Sequence, residues 1–224
     1  MISGSISPSE TQEVVVSAKS KYRTDQEEFW AGSFGNEYIQ RNESPQLLAS
    51  NLSFYATALK QANKVCSCLE FGANIGMNLK ALRLLYPEIR LQGIEINPTA
   101  AEVLAELIGT ENTFQTSIFD FTIREKVDLA LIKGVLIHVN PEMLHIVYDK
   151  LYEASNRHIL IAEYYNPSPV AIKYRGHEDR LFKRDFAGEM LERFPDLRLI
   201  DYGFLYHRDP AFPQDDINWF LLCK

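Results

Sequence analysis

Three acidic residues follow three successive apolar segments of the chain, and their order could build a nucleotide site. Glu70 comes near the end of "VCSCLEF", Glu95 near the end of "RLQGIEI", and Asp120 near the end of "NTFQTSIFDF". The composition of each segment is typical of a strand. A carboxylate at the end of the second strand can accept hydrogen bonds from both hydroxyls of a ribose. The ordered set predicts a nucleotide-binding edge, although any one acid alone could be an ordinary solvated carboxylate.

A glycine-containing turn follows the first of these acids, in the stretch "CLEFGANIGMN". Gly72 allows a sharp turn, and Gly76 allows a helix or a ligand to approach the backbone closely. Asn74 suits the position between them because asparagine tolerates positive φ. A dinucleotide loop would need a glycine where this chain has Met77, and a P-loop would need Lys followed by Ser or Thr. The turn therefore argues against a pyrophosphate ligand.

Strand-like and helix-like segments alternate along the chain. Strands are predicted in "VCSCLEF", "RLQGIEI", "NTFQTSIFDF", "VDLALIKGVLI" and "RHILIAEYY". Helices are predicted in "IGMNLKALRLLY", "PTAAEVLAELIG", "EMLHIVYDKLYEAS" and "RDFAGEMLERF". The segments "LRLIDYGFLYH" and "INWFLLCK" could close the sheet as an antiparallel pair. This alternation predicts an α/β fold with a mostly parallel sheet covered by helices on both faces.

The composition limits the number of domains and the class of partner. The chain has 224 residues, 46% of them hydrophobic, which is enough for one core and too few for two full-sized domains. We expect residues 1–24 to form a flexible arm and residues 25–224 a single domain, with residues 25–62 as an N-terminal helical cap. The net charge of −7 argues against a general nucleic-acid binder, since such proteins depend on Lys and Arg.

The sequence also indicates the compartment. No apolar run approaches the ~18 residues of a membrane span, and "MISGSISPSE" lacks the features of a signal peptide. The three cysteines are odd in number and are expected to be reduced thiols in the core. We predict a cytoplasmic protein without a membrane or nucleic-acid partner.

The turn after the first strand resembles the signature of class I S-adenosylmethionine-dependent methyltransferases, E/D-x-G-x-G-x-G. Glu70, Gly72 and Gly76 match it, and Asn74 stands in place of the middle glycine. The resemblance implies a Rossmann-like fold with a seven-stranded, mostly parallel sheet. It also implies S-adenosylmethionine as the cofactor and S-adenosylhomocysteine as its product.

The same resemblance implies roles for residues around the cofactor. Asp120 would hydrogen-bond the adenine amino group, and Ile118 or Phe119 would pack on the adenine ring. The predicted cofactor-binding residues of the sheet edge are Glu70, Gly72, Ala73, Asn74, Gly76, Glu95, Ile96, Phe119, Asp120 and Lys133.

Longer segments resemble a smaller family, the pseudaminic acid biosynthesis-associated methylases. The matching segments are "EFWAGSFGNEYIQRN", "LEFGANIGMNL", "LIHVNPE", "AEYYNPSPVAIKYRGHEDRLFKRDFAGEM" and "YHRDPAFPQDDINWFLL". The resemblance extends from about residue 25 to the C-terminus. It implies methyl transfer in a nonulosonic-acid sugar pathway.

The end of the predicted fourth strand bears on the acceptor and on the general base. Methyltransferases of nucleobase or glutamine nitrogens carry [ND]-P-P-[YF] there, whereas this chain has "KGVL". His138 follows and could be a general base, since histidine has an ordinary pKa near ~6.5, or it could cap or pack the wall of the site. The further candidates for the base are Tyr164, His177 and His207.

A basic segment after the fifth strand suggests an anionic acceptor. The stretch from Lys173 to Arg184 has five basic and two acidic residues. Arginine offers bidentate geometry to a carboxylate or phosphate, but these charges could also belong to a solvated loop, and the nearby tyrosines could be core residues. The predicted substrate-binding residues are Tyr165, Asn166, Tyr174, Arg175, Lys183 and Arg184.

The aromatic stretch "EFWAGSFGNEYIQRN" predicts one or two short helices ahead of the sheet. Such a cap could cover the cofactor and exclude water, so that the methyl carbon and the nucleophile meet in line. Tyr38 or Arg41 could hold the methionine carboxylate of the cofactor. A packing role for the aromatic side chains is an equally good interpretation.

The sequence therefore predicts a metal-independent methyltransferase, monomeric or homodimeric, with a small polar acceptor. The acceptor would be an anionic sugar acid or a nucleotide-linked sugar. Because the sulfonium is already activated, alignment and removal of one proton are sufficient chemistry. One alternative is another small metabolite, including an amine, for which Glu163 and the tyrosines could form a cation site. Another is a nucleotide-binding regulator without turnover.

Overall fold

The structure, a computed structural model, describes residues 21–39, 43–62 and 64–224. Most of the predicted N-terminal arm lies outside these residues. The cap consists of α1 (Asp25–Ala31), α2 (Ser33–Ile39) and α3 (Pro45–Ala58). The following elements are β1 (Ser67–Phe71), α4 (Met77–Leu85), β2 (Arg90–Glu95), α5 (Pro98–Ile108), β3 (Thr113–Gln115), β4 (Val127–Lys133), α6 (Leu144–Ala154) and β5 (Ser155–Glu163). The chain ends with β6 (Val170–Tyr174), β7 (His177–Lys183), α7 (Phe186–Arg193), β8 (Arg198–Phe204) and β9 (Asn218–Cys223).

Seven strands form one sheet in the order β3-β2-β1-β4-β5-β9-β8. The strands from β1 to β5 are parallel, and β9 is antiparallel to both β5 and β8. The predicted mostly parallel sheet with a C-terminal antiparallel pair is confirmed. The strand order reverses between β1 and β4, and ligands of such sheets bind outside the carboxyl ends at this point.

Apolar layers cover both faces of the sheet, and this explains the near-continuous apolar runs of its central strands. All five residues of β1 are buried. One layer holds α3, α4 and α5, with Phe54, Leu82 and Leu104 among its buried side chains. The other layer holds α6 and α7, with Val147 and Met190. Among the described residues, no helix is both long and apolar enough to cross a bilayer.

Local signals fix the ends of the helices that lie beside the site. The N-cap of α5 is Asn97, whose side chain accepts the Ala100 N–H at 3.0 Å, and Pro98 occupies the first turn. The same helix ends at Gly109, which has φ of 91°. Thr24 and Glu27 form a capping box at the start of α1.

Two predicted strands are shorter in the structure than the sequence analysis expected. The strand β3 ends at Gln115, because the Asp120 and Phe121 N–H groups turn back to the Ser117 carbonyl. The prediction that Asp120 ends the third strand is therefore wrong. The strand β4 ends at Lys133, because Gly134 takes a φ of 68° before a short 3-10 helix.

The basic segment expected as an insertion forms a separate two-stranded hairpin of β6 and β7. Its turn is Arg175 and Gly176, with φ of 49° and 89°. Positive φ at both central residues is the backbone of the two-residue turns that suit a twisted hairpin. The sequence analysis missed these strands because they lack the alternation that marks a half-buried strand. The strand β6 is exposed along most of its length, and β7 begins with three exposed polar residues.

Candidate functional site

A cavity of about 670 Å³ lies at the carboxyl edge of the sheet. The loops after β1, β2, β3 and β4 form its floor, and side chains of α1, α2 and α3 form part of its wall. The turn of the hairpin and the β8–β9 loop, residues 205–217, complete the wall. All the elements that the sequence analysis associated with ligand binding thus border one space.

The loop after β1 has the backbone that its sequence predicts. Gly72, Asn74 and Gly76 have φ of 77°, 48° and 81°. A Cβ atom at Gly72 would lie 2.6 Å from Cγ2 of Val135, so the turn needs glycine for space as well as for conformation. Gly72, Ala73 and Asn74 line the cavity, whereas Gly76 packs against α5 and does not line it. The loop thus presents its first turn to the cavity.

Glu95 is held at the cavity by the backbone of two loops. Its Oε2 accepts the Asn74 N–H, and its Oε1 accepts the Asn97 N–H, both at 2.7 Å. Burial raises the pKa of Glu95, and the backbone hydrogen bonds oppose that shift. Each carboxylate oxygen keeps a second lone pair, so Glu95 can still accept hydrogen bonds from a ligand. Ile96 lines the cavity beside it.

Glu70 lies beneath the loop and does not line the cavity. It is fully buried, and its Oε1 accepts the Asn78 Nδ2–H at 2.6 Å. Its Oε2 has no hydrogen-bond partner among the described residues. Burial raises the pKa of Glu70 to about 8, while Asn78 and Lys133 oppose the rise. The structure places Glu70 where it supports Asn78, which does line the cavity.

The segment after β3 presents a different residue from the one predicted to bind adenine. Ser117, Ile118 and Phe119 line the cavity, whereas Asp120 does not. The half-exposed Asp120 carboxylate instead forms an ion pair with Arg23. The Ser117 hydroxyl donates to the Glu27 carboxylate of α1 and ties the cap to this segment. The sequence analysis did not identify Ser117, although its position just before the predicted apolar neighbours was a usable signal.

Lys133 lines the far side of the cavity, at the end of β4. Its Nζ lies 3.5 Å from Oδ1 of Asn51 and 5.9 Å from the centre of the Phe54 ring. Burial lowers the pKa of Lys133, and the carboxylates of Glu70, Asp215 and Glu163 oppose that shift. Asn51 is a residue that the sequence analysis missed.

The β8–β9 loop provides polar side chains to the same side. Gln214 is buried, and its Nε2 donates to the Ser50 carbonyl of α3 at 2.9 Å. Asp215 accepts a hydrogen bond of 2.9 Å from the Tyr164 hydroxyl, and both residues line the cavity. The sequence analysis missed Gln214 and Asp215, although their place in a loop between two predicted strands could have indicated them.

The four candidates for the general base have different surroundings. Tyr164, His138 and His207 line the cavity. His177 does not, and its exposed ring packs against Phe29 and Phe34 at the edge of the hairpin. The structure therefore brings three of the four predicted residues together.

Only part of the predicted substrate-binding set reaches the cavity. Tyr174 and Arg175 line it. Tyr165, Asn166, Lys183 and Arg184 do not. Arg184 pairs with Glu189 of α7, and Asn166 donates to the Ser168 carbonyl, so both are engaged elsewhere.

The cap contributes Tyr38 and Trp30 to the cavity. Tyr38 is one of the two residues predicted to hold the methionine carboxylate, and Arg41, the other, lies outside the described residues. The Trp30 ring lies 4.6 Å from the ring of His138 and 5.2 Å from that of Tyr38. Of the one or two short helices predicted here, the structure has two, α1 and α2.

Glu163 does not line the cavity, in contrast to the cation site considered from the sequence. Its Oε1 accepts the N–H groups of Val135 and Leu136, both at 2.9 Å. Burial raises the pKa of Glu163 to about 7, and these hydrogen bonds oppose the rise. Glu163 therefore positions the loop after β4, whose Val135 side chain contacts the turn at Gly72.

Solved structures with the same fold are methyltransferases. The 1,6-didemethyltoxoflavin-N1-methyltransferase of Burkholderia thailandensis, with bound 1,6-didemethyltoxoflavin and S-adenosylhomocysteine, is 15% identical, has a TM-score of 0.64, and is aligned over 89% of this chain and 86% of its own. The magnesium protoporphyrin IX methyltransferase of Synechocystis, with bound S-adenosylmethionine, is 11% identical, with a TM-score of 0.64 and coverage of 92% and 100%.

A third such structure is the O-methyltransferase of a trans-AT PKS multienzyme of Brevibacillus brevis, in complex with S-adenosylhomocysteine. It is 15% identical, with a TM-score of 0.59 and coverage of 85% and 76%. Comparison with protein-family models and with curated proteins gave no match. At these identities the likeness concerns the fold, and the chain has the Rossmann-like fold of the class I S-adenosylmethionine-dependent methyltransferases.

Proposed function

We propose that the protein is an S-adenosylmethionine-dependent methyltransferase acting on a small molecule. The observation that carries the proposal is the joining of the Gly72 turn, Glu95 and the Ser117–Phe119 segment in one cavity at the switch point of the sheet. Two structural neighbours with this fold contain bound S-adenosylhomocysteine or S-adenosylmethionine.

The residues of the cavity fit this cofactor. Glu95 offers two oxygen atoms with free lone pairs for the ribose hydroxyls. Gly72 lines the cavity without a side chain, so a ligand can lie against its backbone. Ile118 and Phe119 offer apolar surface for the adenine ring. When bound, S-adenosylmethionine supplies an activated methyl group, and the chain supplies binding, alignment and exclusion of water.

The acceptor that we propose is small, polar, anionic and sugar-derived, as the resemblance to the pseudaminic acid biosynthesis-associated methylases implies. Among the described residues, two side chains with a cationic group line the cavity, Lys133 and Arg175. The Arg175 guanidinium has no hydrogen bond or ion pair with any described residue and stacks only on the Tyr174 ring, at 5.5 Å. A guanidinium without a protein carboxylate can pair with a carboxylate or phosphate of a ligand.

A second candidate is a methyltransferase of an amine or guanidine metabolite. Asp215 supports it, because this carboxylate lines the cavity together with Tyr38, Tyr164 and Tyr174. A carboxylate flanked by aromatic faces is a suitable site for a cation. The sign of the charge that the acceptor carries separates the two proposals.

Cofactor binding and turnover are tested separately. Calorimetry with S-adenosylmethionine and S-adenosylhomocysteine should show saturable binding of both. Incubation with the low-molecular-mass fraction of a cell extract should then release S-adenosylhomocysteine. Binding without release in any fraction would favour the regulator without turnover, and absence of binding would refute the proposal.

The charge of the acceptor is tested with a matched pair of variants on the hairpin. Arg175→Glu should raise KM for the extract acceptor about tenfold or more, since a charge-assisted contact is replaced by repulsion. Its affinity for S-adenosylmethionine should stay within about twofold, because Arg175 belongs to the separate hairpin and not to the loops that hold Glu95 and Ser117. Lys173→Glu is the control, because Lys173 pairs with Glu178 and does not line the cavity. A lowered KM in Arg175→Glu would support the cationic acceptor.

A further inference from the structure

Three cavity-lining side chains could act as the general base, and they differ in the hydrogen bonds that their polar atoms make. The Tyr164 hydroxyl donates its hydrogen bond to Asp215, and burial raises the pKa of Tyr164 far above its ordinary value. A phenol in that state does not accept a proton at neutral pH. Tyr164 is therefore a hydrogen-bond donor that fixes Asp215.

His138 is committed to the structure of the wall. Its Nδ1 lies 2.6 Å from the Arg180 carbonyl, so Nδ1 carries the hydrogen. Its ring lies between those of Trp30 and Tyr174, at 4.6 and 5.0 Å. Burial lowers the pKa of His138 to about 4, which makes it a weak base. His138 joins the cap to the hairpin.

His207 has a different environment in the β8–β9 loop. Its Nδ1 lies 2.8 and 2.9 Å from the two carboxylate oxygens of Asp216, and its backbone N–H donates to Asp216 at 3.0 Å. Because a carboxylate accepts hydrogen bonds, Nδ1 carries the hydrogen and the lone pair is on Nε2. Nε2 makes no hydrogen bond to any described residue. His207 is one of the residues that line the cavity.

Asp216 completes the arrangement of a positioned base. Hydrogen bonds from the His207 ring and backbone lower the pKa of Asp216, so the carboxylate stays ionised at neutral pH. An ionised carboxylate at Nδ1 fixes the tautomer and stabilises the imidazolium that forms at Nε2. Both side chains are about half exposed, at 50% and 49%, which gives the proton a way to bulk water.

We propose that His207, positioned by Asp216, is the general base and that the acceptor atom is a hydroxyl oxygen. The proposal rests on the methyltransferase function proposed above. A bond forms between the acceptor oxygen and the methyl carbon as the bond from that carbon to sulfur breaks. The electron pair of the broken bond stays on sulfur, which gives the neutral thioether. The hydroxyl proton moves to Nε2 of His207 and from there to solvent.

The other acceptor atoms fit this site less well. A carboxylate acceptor is already deprotonated and needs no base. An ammonium acceptor has no lone pair and would have to lose its proton before it could attack. A hydroxyl group needs its proton removed as it attacks, and a base at that position contributes about 10² to 10⁴ in rate.

The test uses S-adenosylmethionine labelled in its methyl group and the low-molecular-mass fraction of a cell extract as the probe. The labelled product is isolated, and its linkage is determined by resistance to mild base and by mass spectrometry. We expect a methyl ether. A methyl ester or an N-methyl product would overturn the inference while leaving the methyltransferase function intact. Absence of S-adenosylhomocysteine release would refute the methyltransferase function itself, so the two failures are distinguishable.

The role of His207 as the base is then tested with variants, by measuring how fast each forms the same labelled product. His207→Ala should lower kcat about a hundredfold or more and keep the affinity for S-adenosylmethionine measured by calorimetry. Added imidazole should restore part of the rate, because the His207 side chain is half exposed and imidazole from solvent can take its place. Asp216→Asn should lower kcat about tenfold or more with little change in KM. His145→Ala, at an exposed position of α6, is the control and should match the wild type. An unchanged kcat in His207→Ala would overturn the assignment.

Discussion

At the scale of single residues, Glu95 is oriented by the fold before any ligand arrives. Its two oxygens are fixed by the backbone N–H groups of Asn74 and Asn97, one on each side of the cavity floor. A ligand that hydrogen-bonds Glu95 therefore meets a carboxylate whose rotamer freedom is already lost. This preorganisation should make Glu95 a major determinant of cofactor affinity.

We predict that Glu95→Ala weakens S-adenosylmethionine binding by about 1.5 to 3 kcal/mol, the range for hydrogen bonds to a charged group. Calorimetry of the folded variant measures it. Glu125→Ala is the matched control, because Glu125 pairs with Arg90 on the surface and does not line the cavity. Equal affinities of Glu95→Ala and wild type would remove Glu95 from the site.

Glu70 makes stability depend on pH in an unusual direction for a carboxyl group. Its pKa in the folded protein is about 8, above the ordinary value of 4.5, because burial disfavours the charge. Between those pH values the folded state holds a proton that the unfolded state has released. The stability that Glu70 contributes is therefore complete below about pH 4.5 and is lost as pH rises through about 8.

We predict that Glu70→Gln removes this dependence. The free energy of unfolding of the variant minus that of wild type should increase from pH 5 to pH 8, which means that the variant gains stability relative to wild type, and then level off. Denaturant unfolding at several pH values measures it, and Glu102→Gln, at an exposed position of α5, is the control. A difference from wild type that did not vary with pH would contradict the prediction.

At the scale of elements, the loop between β1 and α4 combines conformational and steric requirements. Gly72 needs both a positive φ and the absence of a side chain, since Val135 fills the space beside it. Asn74 needs only the positive φ, which asparagine tolerates, and its backbone N–H makes the contact with Glu95. The two positions should therefore respond differently to substitution.

We predict that Gly72→Val abolishes measurable S-adenosylmethionine binding, because a β-branched residue is strained at positive φ and would collide with Val135. Asn74→Gly keeps the N–H to Glu95 and should have a much smaller effect. Calorimetry gives the affinities, and circular dichroism shows whether each variant is folded. A similar loss of S-adenosylmethionine affinity in both variants would show that Gly72 and Asn74 do not have the different requirements described above.

At the scale of the whole molecule, the cap and the hairpin close the cavity together. Gln26 of α1 donates to the Asp179 carbonyl of β7 at 3.0 Å, and Phe29 packs on His177 with ring centres 5.0 Å apart. Thr24, Gln26 and Trp30 also line the cavity. A ligand that contacts the cap should therefore stabilise both units at once.

We predict that S-adenosylhomocysteine binding slows amide hydrogen exchange in α1 and in the hairpin as well as in the loops after β1 and β2. The reason is that the bound ligand adds contacts to these segments, and local unfolding, which permits exchange, must break them. Exchange measured by mass spectrometry with and without the ligand tests this, and α7 serves as an internal control because none of its residues lines the cavity. Protection confined to the sheet loops would show that the cap and the hairpin do not respond to the ligand.

The sequence alone determined the features that depend on neighbours along the chain. Apolar runs and helix periodicity gave the parallel sheet, and Pro98 and Gly109 gave the ends of α5. The spacing of Gly72, Asn74 and Gly76 gave the left-handed backbone of the first loop. These features follow from propensity, sterics and local hydrogen bonds, which act within a few residues.

Only the tertiary structure decided which side chains meet. Asp120 pairs with Arg23, across 97 positions of sequence, and so leaves the cavity wall to Ser117 and its neighbours. Asp215 reaches Tyr164 because the β8–β9 loop ends at the same sheet edge as β5. The order of strands and the crossovers between them bring these groups together, and no local pattern encodes that order. The sequence therefore predicts the floor of the cavity, whereas the packing of the cap, the hairpin and the last loop determines its walls.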